Sequence, residues 1–230
     1  MKMIFRSYDF SWRLIQDNLP ALIKGLIITF QISIAGMLFA FLFGIIFSLM
    51  KMSRYGYFSS FANGVIQVAR SIPLFVVLFW VYYGLSLKFH FNLTSFQAGA
   101  AALGITGGAY MAEVFRGGIG AIDSGQREAA SAIGLSRAQG FWLVVFPQAF
   151  RIILPQTVNI YVGLLKGATI VSIIGVEDMI YVSQYVSLQT FRPFELYSFA
   201  GVVFILSTLC VAGFAFLIER KLSEGSHRGK

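Results

Sequence analysis

The sequence predicts an all-α integral membrane protein, a bundle of five helices. Its composition and the length of its apolar runs predict this together. Of 230 residues, 57% are hydrophobic and only 12% charged, and the mean hydropathy is +0.74. A soluble domain carries about 25% charged residues, so half the charge needed to cover a water-facing surface is missing. A soluble enzyme, a disordered chain and a coiled coil are excluded. Five runs reach the ~20 mostly apolar residues that a bilayer crossing needs. They lie at about 25–50, 57–87, 95–116, 153–176 and 196–218.

Each run has its own character. Residues 25–50 contain no charge; 57–87 are interrupted only by Arg70 and carry Pro73, which removes a backbone donor and can bend the span. Residues 95–116 are rich in Gly and Ala, 153–176 carry Lys166, and 196–218 are uncharged. The first run fits a signal peptide poorly, because it is longer than a typical signal core and the polar or mixed residues 1–20 precede it. Within them Phe10, Leu14, Ile15 and Leu19 share a helical face, which predicts an amphipathic arm lying in the interface and turning at Pro20. The transmembrane domain then covers 21–219, and 220–230 form a tail. Five crossings place the termini on opposite sides. With the tail inside, ten Lys and Arg fall inside, six outside and two within spans, which favours an N-out, C-in orientation. The net charge of +8 is spread in this way and is no nucleic-acid signature. One cysteine, Cys210, permits no internal disulfide, and two histidines, His90 and His227, cannot build a His/Cys metal site.

The segment 117–151 between the third and fourth runs is dense in helix signals. Asp123 with Gln126 reads as a capping box, small helix formers follow, and Gly134 stands where a left-handed helix end is wanted. Ser136 with Gln139 opens a second helix that runs on to Pro147. In the first short helix Ala129, Ala130, Ser131 and Ala132 have little side-chain bulk, Glu128 adds a negative charge, and Ile133 and Leu135 add apolar anchors. Such a surface suits a groove on another protein better than a bilayer, where it would bury little apolar area.

This stretch resembles the EAA loop of ABC-importer permeases: Glu-Ala-Ala, three residues, Gly, nine residues, Ile, one residue, Leu-Pro. Glu128, Ala129, Ala130, Gly134 and Pro147 fall on that spacing, with Val144 for the Ile and Phe146 for the Leu. Further stretches are similar to the polar amino-acid permeases (histidine, glutamine, arginine and glutamate importers): LIKGLIITF at 22–30, ARSIPLFVVLFW at 69–80, AYMAEVFRGGI at 109–119, GQREAASAIGLS at 125–136 and FPQAFRIILPQ at 146–156. The resemblance covers nearly the whole chain. It implies a multi-pass protein of the bacterial inner membrane with the type I importer permease fold. It also implies a second permease copy or sibling, cytoplasmic ABC ATPase subunits that bind ATP and Mg, and a periplasmic or extracellular amino-acid-binding protein. The residues implied to couple to the ATPase are Glu128, Ala129, Ala130, Gly134 and Pro147. One departure stands out: where relatives commonly read Leu-Lys-Asp-Thr-Ser-Leu, residues 165–170 here read LKGATI.

Ionisable groups inside a bilayer are costly and therefore candidates for function. Arg70, Ser71, Lys166, Thr169 and Ser172 are candidates for a polar route taken by a zwitterionic substrate, although Thr169 and Ser172 have the alternative of bonding to their own backbone. For Arg70 and Lys166 a structural role stands equally open. Glu113 is expected to pair with Arg116, three residues on and on the same helix face, or with Arg70, and so to hold helix ends together. No phosphate-binding G-x-x-x-x-G-K-[ST] occurs, so no cofactor is expected on this chain and it is not itself expected to be an enzyme. The alternative function is a secondary amino-acid carrier, but no two-half repeat of broken helices is visible.

Overall fold

The computed structural model describes residues 9–227, the side chains of 219 and 221–227 excepted, and among them every regular element is helical. Helix α1 is Trp12–Lys51, α2 Gly56–Ser71, α3 Leu74–Phe89 and α4 Ser95–Gly120. Helix α5 is Ser124–Ala132, α6 Arg137–Ile174, α7 Met179–Thr190 and α8 Pro193–His227. Residues 1–8 of the expected arm and 228–230 of the expected tail lie outside the described residues.

Two expectations need correction, and the bend that Pro73 permits is present. The arm does not turn at Pro20; α1 continues through it as one helix of 40 residues. Proline removes one backbone donor, but Gln16, whose carbonyl loses its partner, is exposed, while buried Ile15 and Leu22 hold the helix on either side. The run 57–87 is bent where Pro73 allows it, and α2 and α3 meet at 105°. The break falls at Ile72 and Pro73, both extended in ψ, the conformation a residue before proline prefers. The helix opening at Ser136 does not end at Pro147. A π-turn at Phe141–Val145 restarts the helical ladder at Phe146, so Pro147 occupies a first-turn position where an N–H is not needed. The helix then passes the expected start of the fourth span and tightens to a 3₁₀ stretch at Ala168–Ile174.

By length and apolarity, α1, α6 and the first 26 residues of α8 can each cross a membrane, as can α2 and α3 together if the bent pair is one span. Helix α4 falls short of that standard although its 26 residues are long enough. The reason is its place in the bundle. Half of its residues are buried, so it faces protein, and protein-facing surface in a membrane favours small residues over large apolar ones. At Gly104 an added Cβ would stand 2.4 Å from Phe39 Cβ, and at Gly44 one would stand 2.5 Å from Met111 Cβ. Helices α1 and α4 therefore approach backbone to backbone. Leu103, Met111 and Ile32 are fully buried between them, and Val171 and Leu164 of α6 close the same core.

Helix α7 is an element the periodicity reading did not anticipate. Gly175 turns the chain at φ +83°, and Asp178 caps the new helix by accepting a hydrogen bond from Tyr181 N at 2.9 Å. A second core of Leu22, Met179, Val186, Leu196 and Ala200 fixes α7 between α1 and α8.

Candidate functional site

The segment between α4 and α6 folds into a projecting knuckle. Asp123 Oδ1 accepts from Gly125 N at 2.8 Å and begins α5. Gln126 does not reach back to complete the expected capping box; its Oε1 accepts from Gln148 Nε2 at 3.2 Å, which ties α5 to α6. At the far end Gly134 has φ +83°. Its N–H donates to Ser131 O at 3.0 Å, and Leu135 N donates to Ala130 O at 3.1 Å, the double closure that satisfies the last carbonyls of a helix. Ser136 and Gln139 then form the expected capping box of α6. Arg127 Nη2 donates to Ile119 O at 3.0 Å and pins the knuckle to the end of α4.

The two faces of α5 differ. Glu128, Ala129, Ala132 and Ile133 are exposed, Ile133 by 75%. Ala130 faces inward, 4% exposed, close to Gly140 of α6. Of the five residues on the EAA spacing, then, Glu128 and Ala129 present surface, Ala130 packs the helix down, Gly134 shapes its end, and Pro147 sits apart on α6.

Close to the knuckle, Glu113 accepts from Arg116 Nε at 2.9 Å, as its spacing predicts, and from Lys51 Nζ at 2.5 Å. Lys51 is the last residue of α1 and 62 positions away from Glu113, a distance that no local pattern reveals. The triad joins the ends of α1 and α4. At the opposite end of the bundle, Glu195 is fully buried and its Oε1 accepts from Arg192 Nη1 at 2.9 Å and Ser11 N at 3.4 Å, while Arg192 also donates to Asp9 O.

The passage candidates are only partly brought together. Leu74, which opens α3 just after the elbow, packs on Gly167, the residue after Lys166, while Ser71 ends α2 on the other side of the bend. Ser71 and Lys166 are both exposed. Arg70 does not pair with Glu113; its guanidinium lies 5.1 Å from the ring centroid of Tyr110. Three hydroxyls bond to their own helix. Ser71 Oγ donates to Gln67 O, Thr169 Oγ1 to Lys166 O and Ser172 Oγ to Thr169 O, and Ser172 is buried. Among the described residues no group of three His, Cys, Asp or Glu is placed to hold a metal ion.

The fold and the site together define an integral membrane component of many helices. The profile of the family described as "binding-protein-dependent transport system inner membrane component" matches residues 36–224, and the chain belongs to that family. It is 34% identical over 214 residues to the arginine transport system permease protein ArtQ of Bacillus subtilis (strain 168), covering 93% of this chain and 97% of that one. It is 30% identical over 224 residues to the glutamate/aspartate import permease protein GltK of Escherichia coli O6:H1, covering 93% and 99%. Among solved structures, an amino acid ABC transporter crystallised with histidines has a chain 34% identical to this one. It superposes with a TM-score of 0.86 over 93% of this chain and 100% of that one. The fold is that of a type I importer permease in the inner membrane, as the resemblance implied.

Proposed function

We propose that the chain is the permease subunit of an ATP-driven, binding-protein-dependent importer of polar amino acids. Support for the substrate class comes from relatives named for arginine and for glutamate and aspartate. The observation that carries the coupling mechanism is the knuckle: a short helix closed at both ends, projecting Glu128, Ala129, Ala132 and Ile133. Among the described residues nothing in this chain packs on that face.

In this reading the knuckle lies on the cytoplasmic side, with the N-terminus outside. A separate ABC ATPase subunit binds ATP and Mg and grips the projecting face. Closure of the ATPase pushes α5 as a rigid piece, because its start, its end and its link to α6 are all hydrogen-bonded. The push reaches α4 through Arg127 and Ile119. A second copy of the chain, or a sibling permease, completes the passage, and a binding protein delivers substrate at the other face. The passage runs past the elbow, where Arg70, Ser71, Lys166 and Thr169 supply polarity and the two cations favour a carboxylate. Ser172, buried and bonded to Thr169 O, supports that wall.

The test is uptake by the reconstituted transporter with its ATPase and binding protein. Glu128→Lys reverses charge on the exposed face, and Gly134→Val forces a β-branched residue into left-handed backbone, which costs about 1–2 kcal/mol. Each is expected to weaken ATPase binding by about 10-fold or more, the scale of a central interface residue, and to lower uptake in parallel. Uptake that persists without ATP and collapses with the ion gradient would establish the secondary carrier instead.

A further inference from the structure

Beneath the knuckle lies a cavity of about 410 Å³. Its floor is apolar, made by Met52, Ile119, Leu135, Phe141 and Val145. Arg127 and Arg137 stand at its edge with Ser131 and Ser136, and no carboxylate is among its lining residues. The face of α5 that lines it is that of Arg127, Ala130 and Ser131, opposite the face of Glu128, Ala129 and Ala132 that projects outward.

A site with two guanidinium groups above an apolar floor matches an amphiphile with an anionic head. Its position narrows the choice. The cavity sits where α1 ends, between the last turn of α4 and the first turns of α6, at the end of the bundle where the spans stop. On the π-turn that supplies Phe141 and Val145, Trp142 is 61% exposed and Leu143 65%. Exposed tryptophan beside basic residues is the pattern of a membrane–water boundary. Basic pockets between helices at that level bind anionic lipid heads. Arg127 is already oriented by its bond to Ile119 O, so less freedom is lost when it meets a phosphate.

We propose that this cavity is a binding site for the headgroup of an anionic phospholipid. Arg127 and Arg137 would hold the phosphate, and the floor from Met52 to Val145 would take the glycerol and first methylenes. The lipid would then fill the hollow under the knuckle and stiffen it against α1 and α6. The inference rests on the proposed coupling reading only in placing the knuckle at the inner face of the membrane.

The test is native mass spectrometry of the full chain in detergent, titrated with phosphatidylglycerol or phosphatidylcholine. Phosphatidylglycerol should be retained in preference, and raising the salt concentration should erode that preference. Arg127→Gln or Arg137→Gln should weaken retention about fivefold and the pair about 25-fold, as expected for one basic group near an anionic surface and for two. The Lys variants at both positions should restore most of it. Equal retention of the two lipids overturns the proposal, as does unchanged phosphatidylglycerol binding in the double Gln variant. Displacement of the lipid by inorganic phosphate at comparable concentration also overturns it, because a simple anion site would then suffice. If the Gln variants fail to fold, the salt response of the unaltered chain decides. Retention is read without the ATPase, so failure of the coupling reading leaves this result standing.

Discussion

At the scale of single residues, Glu113 has the richest set of partners near the knuckle. Its carboxylate is about one-fifth exposed and meets cations from two helices. Hydrogen bonds to charged groups contribute about 1.5–3 kcal/mol each, so Glu113→Gln is expected to destabilise the bundle on that scale. Lys51→Met should cost less in the Glu113→Gln background than in the native one. Thermal unfolding of the four chains of that double-mutant cycle measures the coupling, and additive effects would show that the pair is not energetically linked. The sequence revealed Arg116 as a partner through its spacing of three. It could not reveal Lys51, because ion pairs between helices depend on register, which no local pattern encodes.

At the scale of elements, caps and glycines were legible and bends were only partly so. Gly134 and the Ser136–Gln139 box stand as the local chemistry predicts, since both depend on residues within a turn of each other. Pro73 breaks its span, whereas Pro20 and Pro147 do not break theirs. The difference lies in context: Pro73 sits at an extended Ile72, Pro20 is framed by buried anchors, and Pro147 follows a π-turn that renews the helix. Helix α7 was missed because it is half-buried between two longer helices and lacks a clear apolar stripe, although Asp178 followed by an apolar run was an available signal. The α1–α4 contact gives a direct prediction. Gly104→Val places methyl groups against Phe39 and the backbone of Gly36, and overpacking of this kind costs about 1–3 kcal/mol. The variant should unfold at lower temperature, whereas Gly64→Val on α2, where nothing lies within 4 Å of an added Cβ, should leave stability within about 0.5 kcal/mol.

At the scale of the whole molecule, the charge count and the structure make one joint prediction about sidedness. The knuckle and the far end of α7 lie at opposite ends of the bundle, so the proposed orientation puts them on opposite sides of the membrane. In a Cys210→Ser background, Gln189→Cys should react with a membrane-impermeant maleimide on intact cells, and Ser136→Cys should react only after the cells are opened. Reversed labelling would invert the N-out, C-in orientation. The fold class was legible because a bilayer restricts spanning segments to satisfied backbones, so long apolar runs have few alternatives. The passage was less legible. Lone polar residues in a span look alike in sequence whether they face a partner chain, a ring such as that of Tyr110, or their own backbone.

The glycine contacts that seat α1 on α4 also limit how the protein can work. With Phe39 wedged over Gly104 and Met111 over Gly44, one helix cannot slide along the other without collision, so the two must travel as a single rigid body. Any opening and shutting of a pathway has to be taken up at the joints: the bend at Ile72–Pro73, and the stretch between Gly167 and Gly175 where the winding tightens and then reverses. A transport cycle built on this chain would pivot there while its central pair kept its register.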